Sequence, residues 1–143
     1  MALPAAVAAK AAHPERTVVC FGGDGCFLMN GQELATAVQY GLAIIVIVVN
    51  NGMYGTIRMH QEREYPERVQ RHRSREPGFR RPRPRLRRSR RKVETTADFA
   101  PLSSARWPQA KPALLELRLD PEAITPRMGL SQIRENARKA RGG

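Results

Sequence analysis

Residues Gly23 to Asn51 read GDGCFLMNGQELATAVQYGLAIIVIVVNN, and this stretch decides the fold class. Its second half contains Ala43 to Val49 (AIIVIVV), apolar at every position. A strand covered on both faces has that composition, as strands of parallel sheets do. Just upstream, Thr17 to Phe21 (TVVCF) is β-branched and ends in Gly22-Gly23, which marks a strand and its stop. Between the two strands the spacing predicts a helix from about Asn30 to Tyr40. Asn30 is the expected N-cap with Glu33 three residues on, and Gly41 is the expected C-terminal stop. Leu34, Ala37, Val38 and Gly41 share one face of that helix. Strand, helix and strand within about thirty residues make a βαβ unit with parallel strands and a right-handed crossover.

Outward from this unit the α/β alternation continues. Leu3 to Ala12 is an Ala-rich helix closed before Pro14, and Pro112 to Leu119 (PALLELRL) alternates as a later strand. Asp98-Phe99-Ala100 reads as a helix start, and the tail from Ser131 as either a short polar helix or disordered chain. There are no internal repeats. At 143 residues the chain is one domain's length. The fold class is α/β, a three-layer α/β/α arrangement on a mostly parallel sheet. The domain occupies residues 1–136 with a tail at 137–143.

The longest apolar run is the seven residues Ala43 to Val49, too short to cross a membrane. The N-terminal stretch carries Lys10 and lacks the layout of a signal peptide. Two cysteines, Cys20 and Cys26, make no disulfide scaffold, which points to a reducing cytoplasm. The formal net charge of +12 would suggest a nucleic-acid partner. That charge is concentrated, however. Residues 70–92 (QRHRSREPGFRRPRPRLRRSRRK) hold 11 arginines and Lys92 against Glu76 alone. The remaining chain is nearly neutral. Pro77, Pro82 and Pro84 block a continuous helix and like charges repel, so the basic segment is expected to be disordered.

Both strands of the βαβ unit end in polar groups: Gly23-Asp24-Gly25 after the first and Asn50-Asn51-Gly52 after the second. In a parallel sheet, ligands bind outside the carboxyl ends of the strands, so both groups should face one crevice. The N–H groups of Gly25 and Cys26, near a helix start, can meet phosphate oxygens. Asp24 brings one carboxylate and Asn51 one amide oxygen. This hard-oxygen set is too small to cage a metal alone but suits Mg²⁺ or Ca²⁺ shared with a diphosphate and water. Gly-Asp-Gly and Asn-Asn-Gly are each ordinary turn signals. Their pairing at successive strand ends is far more specific.

With that spacing the chain resembles the thiamine diphosphate-dependent enzymes, whose signature is Gly-Asp-Gly, about 24 to 28 residues, then Asn-Asn. The flanking LPAAVAAKAAHPERTVVCFGGDG and NNGMYGTIRMHQE are similar to the acetolactate synthase, benzoylformate decarboxylase and pyruvate oxidase group. The resemblance covers residues 3–69, 93–100 and 111 to about 136. It implies the thiamine diphosphate-binding fold, here incomplete, with thiamine diphosphate and Mg²⁺ as cofactors. It implies metal ligation by Asp24, Asn51 and the Met53 carbonyl, with Gly23, Gly25, Cys26 and Tyr54 beside the cofactor. Cys26 stands where Ser or Ala is common. The parent reaction would be decarboxylation or carboligation of a 2-oxo acid by a homo-oligomer, a dimer or tetramer, with no membrane and no nucleic acid involved. In that group the activating glutamate lies in a separate N-terminal domain, so no catalytic residue is assigned in this chain, and the isolated chain is expected to be inactive. Glu33, Glu62 and Glu64 read as helix caps or solvated surface, His60 as a surface histidine, and Cys20 as a small buried hydrophobe.

The group has no arginine tract at 70–92. Shifting the frame there, with permitted codons, turns Gln70 to Phe79 into Ser-Gly-Thr-Asp-Leu-x-Asn-Pro-Asp-Phe, and each CGC arginine that follows becomes alanine. A second shift within Leu102 to Ala110 (LSSARWPQA) permits Glu-Arg-Ala-Leu-Ala-Ser-Gly running into Lys111-Pro112. Both repairs yield family-like helical text, so these segments are expected to be read out of frame. Two other readings stand beside this one: an Arg-rich nucleic-acid-binding module on an α/β domain, and an inactive pseudogene product.

Overall fold

The computed structural model describes residues 2–70, 90–103 and 111–142, which fall into two compact units. The basic tract at 71–89 and the segment 104–110 lie outside the described residues, so the expected disorder of the tract is not addressed there.

The first unit comprises residues 2–50, 90–103 and 111–118. Its elements are α1 (Ala2–Ala12), β1 (Val18–Gly23), α2 (Asp24–Asn30), a 3₁₀ turn (Gly31–Glu33), α3 (Leu34–Gln39), β2 (Ile44–Asn50), β3 (Arg90–Val93), α5 (Thr96–Ser103) and β4 (Ala113–Arg118). The four strands form one parallel sheet in the order β1-β2-β4-β3. Helices flank it on both faces, the α/β/α layering that the alternation predicts.

Local chemistry explains each element. In α1 alanine favours helix, and Leu3, Ala6 and Val7 turn inward. Lys10 Nζ closes the following turn by donating to the carbonyls of Pro14 and Arg16 at 2.8 and 2.6 Å. Gly41 ends α3 with φ of 63°. Its N–H donates to Val38 O, and the Leu42 N–H donates to Ala37 O at 2.8 Å, a Schellman arrangement. Thr95 and Asp98 form a reciprocal capping box ahead of α5, Asp98 accepting from the Thr95 N–H at 3.1 Å.

One expectation needs correction. The helix between β1 and β2 begins at Asp24, not Asn30, and Asn30 is no side-chain cap. A carboxylate in the first turn suits the helix dipole, so the Asp24 end is the better start. The break falls at Gly31, where an added Cβ would lie 3.0 Å from the Phe27 ring. A short 3₁₀ turn there lets Phe27 pack against the core.

The main core joins Leu3, Ala6, Val7, Leu34 and Ala37 to Cys20, Ile44, Val46 and Val48 on one sheet face. Val93 and Leu115 anchor the other face, with Ile45, Ile47, Phe99 and Leu117 packed around them. Full coverage of β2 on both faces therefore holds only in part. Ile44, Val46, Val48 and Asn50 are buried, whereas Ile45, Ile47 and Val49 are half-buried. Beside them on β1, Val19 and Phe21 are exposed. The basic segment also does not extend as coil to residue 92, because Arg90 to Lys92 belong to β3. This is an edge strand, and edges tolerate exposed cations such as Arg91 and Lys92.

The second unit comprises residues 51–70 and 119–142 and is built on α4 (Gly55–Glu64) and α6 (Leu130–Ala140). Of the two readings of the tail, the helix is correct. Leu130 and Ile133 are buried, and the Gln132 side chain accepts the Gly129 N–H at 3.0 Å ahead of the first turn.

These burial differences predict the response to truncation. Leu115→Ala, at a side chain 2% exposed, should lower unfolding free energy by about 2–5 kcal/mol. Phe21→Ala, at 64% exposure, should change it by less than about 0.5 kcal/mol. Urea unfolding followed by circular dichroism measures both, and equal losses would contradict the assigned core.

Candidate cofactor and metal site

Parallel pairing places Gly23 opposite Val49 and Val19 opposite Ile45, so the carboxyl ends of β1 and β2 lie abreast. At this end the sheet buries two polar side chains. Asn50 Nδ2 donates to Glu116 Oε1 at 2.8 Å, both residues being buried, and Arg118 Nη1 lies 3.9 Å from the same oxygen. Register sets Glu116 beside Val48 on one neighbour and Lys92 on the other. Sequence reading assigned neither Asn50 nor Glu116 a role. The available signal was a carboxylate in the middle of the apolar strand PALLELRL.

Gly23, Asp24, Gly25 and Cys26 occupy one turn, where β1 passes directly into α2. Gly23 is extended, with φ −70° and ψ 161°. Asp24 is only 4% exposed, and its Oδ1 accepts the Gly25 N–H at 2.8 Å. The Gly25 N–H expected to meet a phosphate is thus engaged by the neighbouring carboxylate. Cys26 is exposed and Cys20 buried, both as free thiols, and burial pushes the Cys20 thiol pKa up. Cys20 is the small buried hydrophobe expected.

Asn51, Met53 and Tyr54 sit together on the turn that leads into α4. Asn51 Oδ1 accepts the Met53 N–H at 3.2 Å, and Met53 O accepts the Gly55 N–H at 3.0 Å. Gly52 has φ of 69°, a left-handed conformation that explains glycine at that position. Met53 is buried, and Tyr54 stands half-exposed ahead of the helix. The first turn offers a buried carboxylate, and the second offers an amide oxygen and a backbone carbonyl. All are hard oxygens of the kind Mg²⁺ accepts. Among the described residues no group of three His, Cys, Asp or Glu side chains is arranged to hold a metal. A site sharing phosphate oxygens needs only one carboxylate.

The three glutamates divide differently from expectation. Glu64 is exposed, and Glu33 accepts from Thr36 Oγ1 at 3.2 Å. Glu62 is neither cap nor solvated surface. It is 1% exposed and gripped by two arginines, Arg134 at 2.7 and 2.8 Å and Arg58 at 3.0 and 3.1 Å. A buried carboxylate requires such pairing, and its partner Arg134 lies 72 residues away, beyond the reach of local pattern. His60 is exposed, as expected.

Residues 1–115 match the family described as thiamine pyrophosphate enzyme, C-terminal TPP binding domain. The chain belongs to this family. Among curated relatives it is 52% identical over 68 residues to acetolactate synthase of Arthrospira platensis, covering 48% of this chain and 12% of that protein. It is 49% identical over 63 residues to the acetolactate synthase isozyme 3 large subunit of Escherichia coli, covering 44% and 11%. Among solved structures it matches the thiamine diphosphate-dependent 4-hydroxybenzoylformate decarboxylase of Rhodococcus jostii RHA1 with a TM-score of 0.63 and 29% identity. That match covers 83% of this chain and 23% of the decarboxylase. The chain thus spans about an eighth of the curated relatives' length.

The arginine pair sets a pH dependence for the TPP-family chain. Hydrogen bonds from Arg134, then Arg58, outweigh desolvation and hold the Glu62 pKa down at about 2, from an ordinary 4.5. The folded pKa lies below the unfolded one, so this stabilisation is complete above about pH 4.5 and disappears as pH falls toward 2. Its size is on the order of 2–3 kcal/mol, since both arginines keep some contact with solvent. Glu62→Gln should be less stable at pH 7 and show a flatter stability profile between pH 5 and pH 2. A wild-type profile across that window would contradict the pairing.

Proposed function

We propose that this chain is the diphosphate- and Mg²⁺-binding part of a thiamine diphosphate-dependent 2-oxo-acid decarboxylase or carboligase of the acetolactate synthase kind. One observation carries the reading: β1 and β2 end abreast, one running into Gly23-Asp24-Gly25 and the other into Asn50-Asn51. Asp24, Asn51 and the Met53 carbonyl would hold Mg²⁺. Gly23, Gly25, Cys26 and Tyr54 would border the cofactor, with the Gly25 N–H exchanging from Asp24 to a phosphate oxygen. When bound, the cofactor itself supplies the electron sink for cleavage next to a 2-oxo group. The chain's own residues would position it and hold the Mg²⁺ that offsets its phosphate charge. The parent enzyme would be a cytoplasmic homo-oligomer acting on a 2-oxo acid, with the activating glutamate supplied by a separate domain. The isolated chain would therefore bind without turning over.

Calorimetry of the chain with thiamine diphosphate and Mg²⁺ tests this. Asp24→Ala and Asp24→Asn should abolish metal-dependent binding while circular dichroism stays unchanged. Unchanged affinity in both variants would refute the site, and turnover of pyruvate by the isolated chain would refute its inactivity.

We further propose that residues 70–92 and 102–110 are read out of frame. Support comes from the family-like text of both shifted readings and from relatives that align over fewer than 70 residues. Neither the relatives nor the family match favours a nucleic-acid module. Sequencing the genomic DNA across codons 68 to 112 should show the displaced frame, and an uninterrupted frame encoding the arginine tract would overturn it.

A further inference from the structure

Gly55 touches both groups that the proposed site draws from the turn after β2. Its N–H donates to Met53 O at 3.0 Å. On its other side, a Cβ would lie 2.6 Å from Ile124 Cδ1, 2.9 Å from Asn51 Nδ2 and 3.9 Å from Asn51 Cγ. Distances under 3.0 Å force something to move. Unlike Gly52, Gly55 does not have a left-handed backbone, so the need for glycine here is steric.

The two neighbours do not yield equally. Ile124 Cδ1 ends a half-buried aliphatic side chain and can change rotamer. The Asn51 amide is pinned, because its Oδ1 accepts the Met53 N–H. Displacing the Asn51 Nδ2 rotates that oxygen off the bond and loosens the peptide next to the Met53 carbonyl.

We propose that Gly55 is a positioning residue that sets the Asn51 amide oxygen and the Met53 carbonyl for cation binding. The inference rests on the metal roles proposed above for Asn51 and Met53. An amide oxygen has two lone pairs, so Asn51 can hold the Met53 N–H with one and face a cation with the other. The absent Cβ keeps that orientation. The Gly55 N–H meanwhile holds the Met53 carbonyl oxygen through one lone pair and leaves the other for a cation.

The test uses the full chain and begins without cofactor. In Gly55→Ala, hydrogen exchange at the Met53 N–H should accelerate and the Asn51 side-chain amide resonance should shift, with helix content preserved. Affinity for thiamine diphosphate in Mg²⁺ should fall about 10- to 100-fold, as for other residues that orient metal ligands. Gly55→Ala/Ile124→Ala removes the nearer clash and leaves the Asn51 clash, so both defects should persist. Wild-type Met53 exchange in Gly55→Ala would overturn the proposal, as would restoration of exchange and affinity in the double variant. If Gly55→Ala alone unfolds, the double variant should refold and show both defects, and failure to refold would make Gly55 a folding requirement and end the proposal. A wild-type chain that binds no thiamine diphosphate defeats the cofactor reading instead. The Met53 and Asn51 signals still decide what Gly55 positions.

Discussion

The structure of the first unit depends on the hydrogen-bonded ladder along both edges of β2. A strand apolar at every position is stable only when neighbours pair with both its edges and side chains cover its faces. β1 and β4 supply the edges, both in parallel register. α1 and α3 cover one face through Leu3, Val7, Leu34 and Ala37. Parallel pairing makes β1 and β2 finish at the same end, because the crossover between them returns the chain to its starting side. The strand ends at Gly23 and Asn50 therefore lie side by side as a consequence of the ladder.

Polar groups enter the interior only where partners meet them, and the two units solve that problem differently. Glu116 is satisfied at the sheet's end by the Asn50 amide. Glu62 is satisfied between two helices by two guanidinium groups. Removing one partner of such a pair leaves a buried group uncompensated, which costs more than the intact bond contributes. Both carboxylates consequently tie distant parts of the sequence together, 66 residues apart for Asn50 and Glu116 and 72 for Glu62 and Arg134.

Legibility in the sequence followed the range of the forces involved. β2 was readable from its composition alone, and α1, β1 and β4 from local patterns of a few residues. The left-handed stop at Gly41 was readable because only glycine enters that conformation at little cost. The start of α2 was misplaced because the Asn30-to-Glu33 spacing imitates a cap, while Asp24 sits inside a glycine-rich turn. β3 was not visible at all. An edge strand of arginine and lysine has no apolar alternation, and it exists through pairing with β4. The composition of the candidate site was legible, because turn residues at strand ends keep their spacing in the chain. Gly55 was not, since nothing in the sequence shows that the Asn51 amide and the Ile124 side chain both close on it.

The net charge of +12 shows the division most plainly. By itself the sequence located that charge in one tract, left the rest near neutral, and placed Gly-Asp-Gly and Asn-Asn at the ends of two strands. These are properties of neighbours along the chain, governed by backbone sterics and hydrophobic period. Tertiary structure alone decided which glutamates are buried, that Arg90 to Lys92 form an edge strand, and that the Ile124 side chain lies against Gly55. Each of these depends on groups that approach only after the chain has folded, where desolvation and close contact set energies that local sequence does not encode.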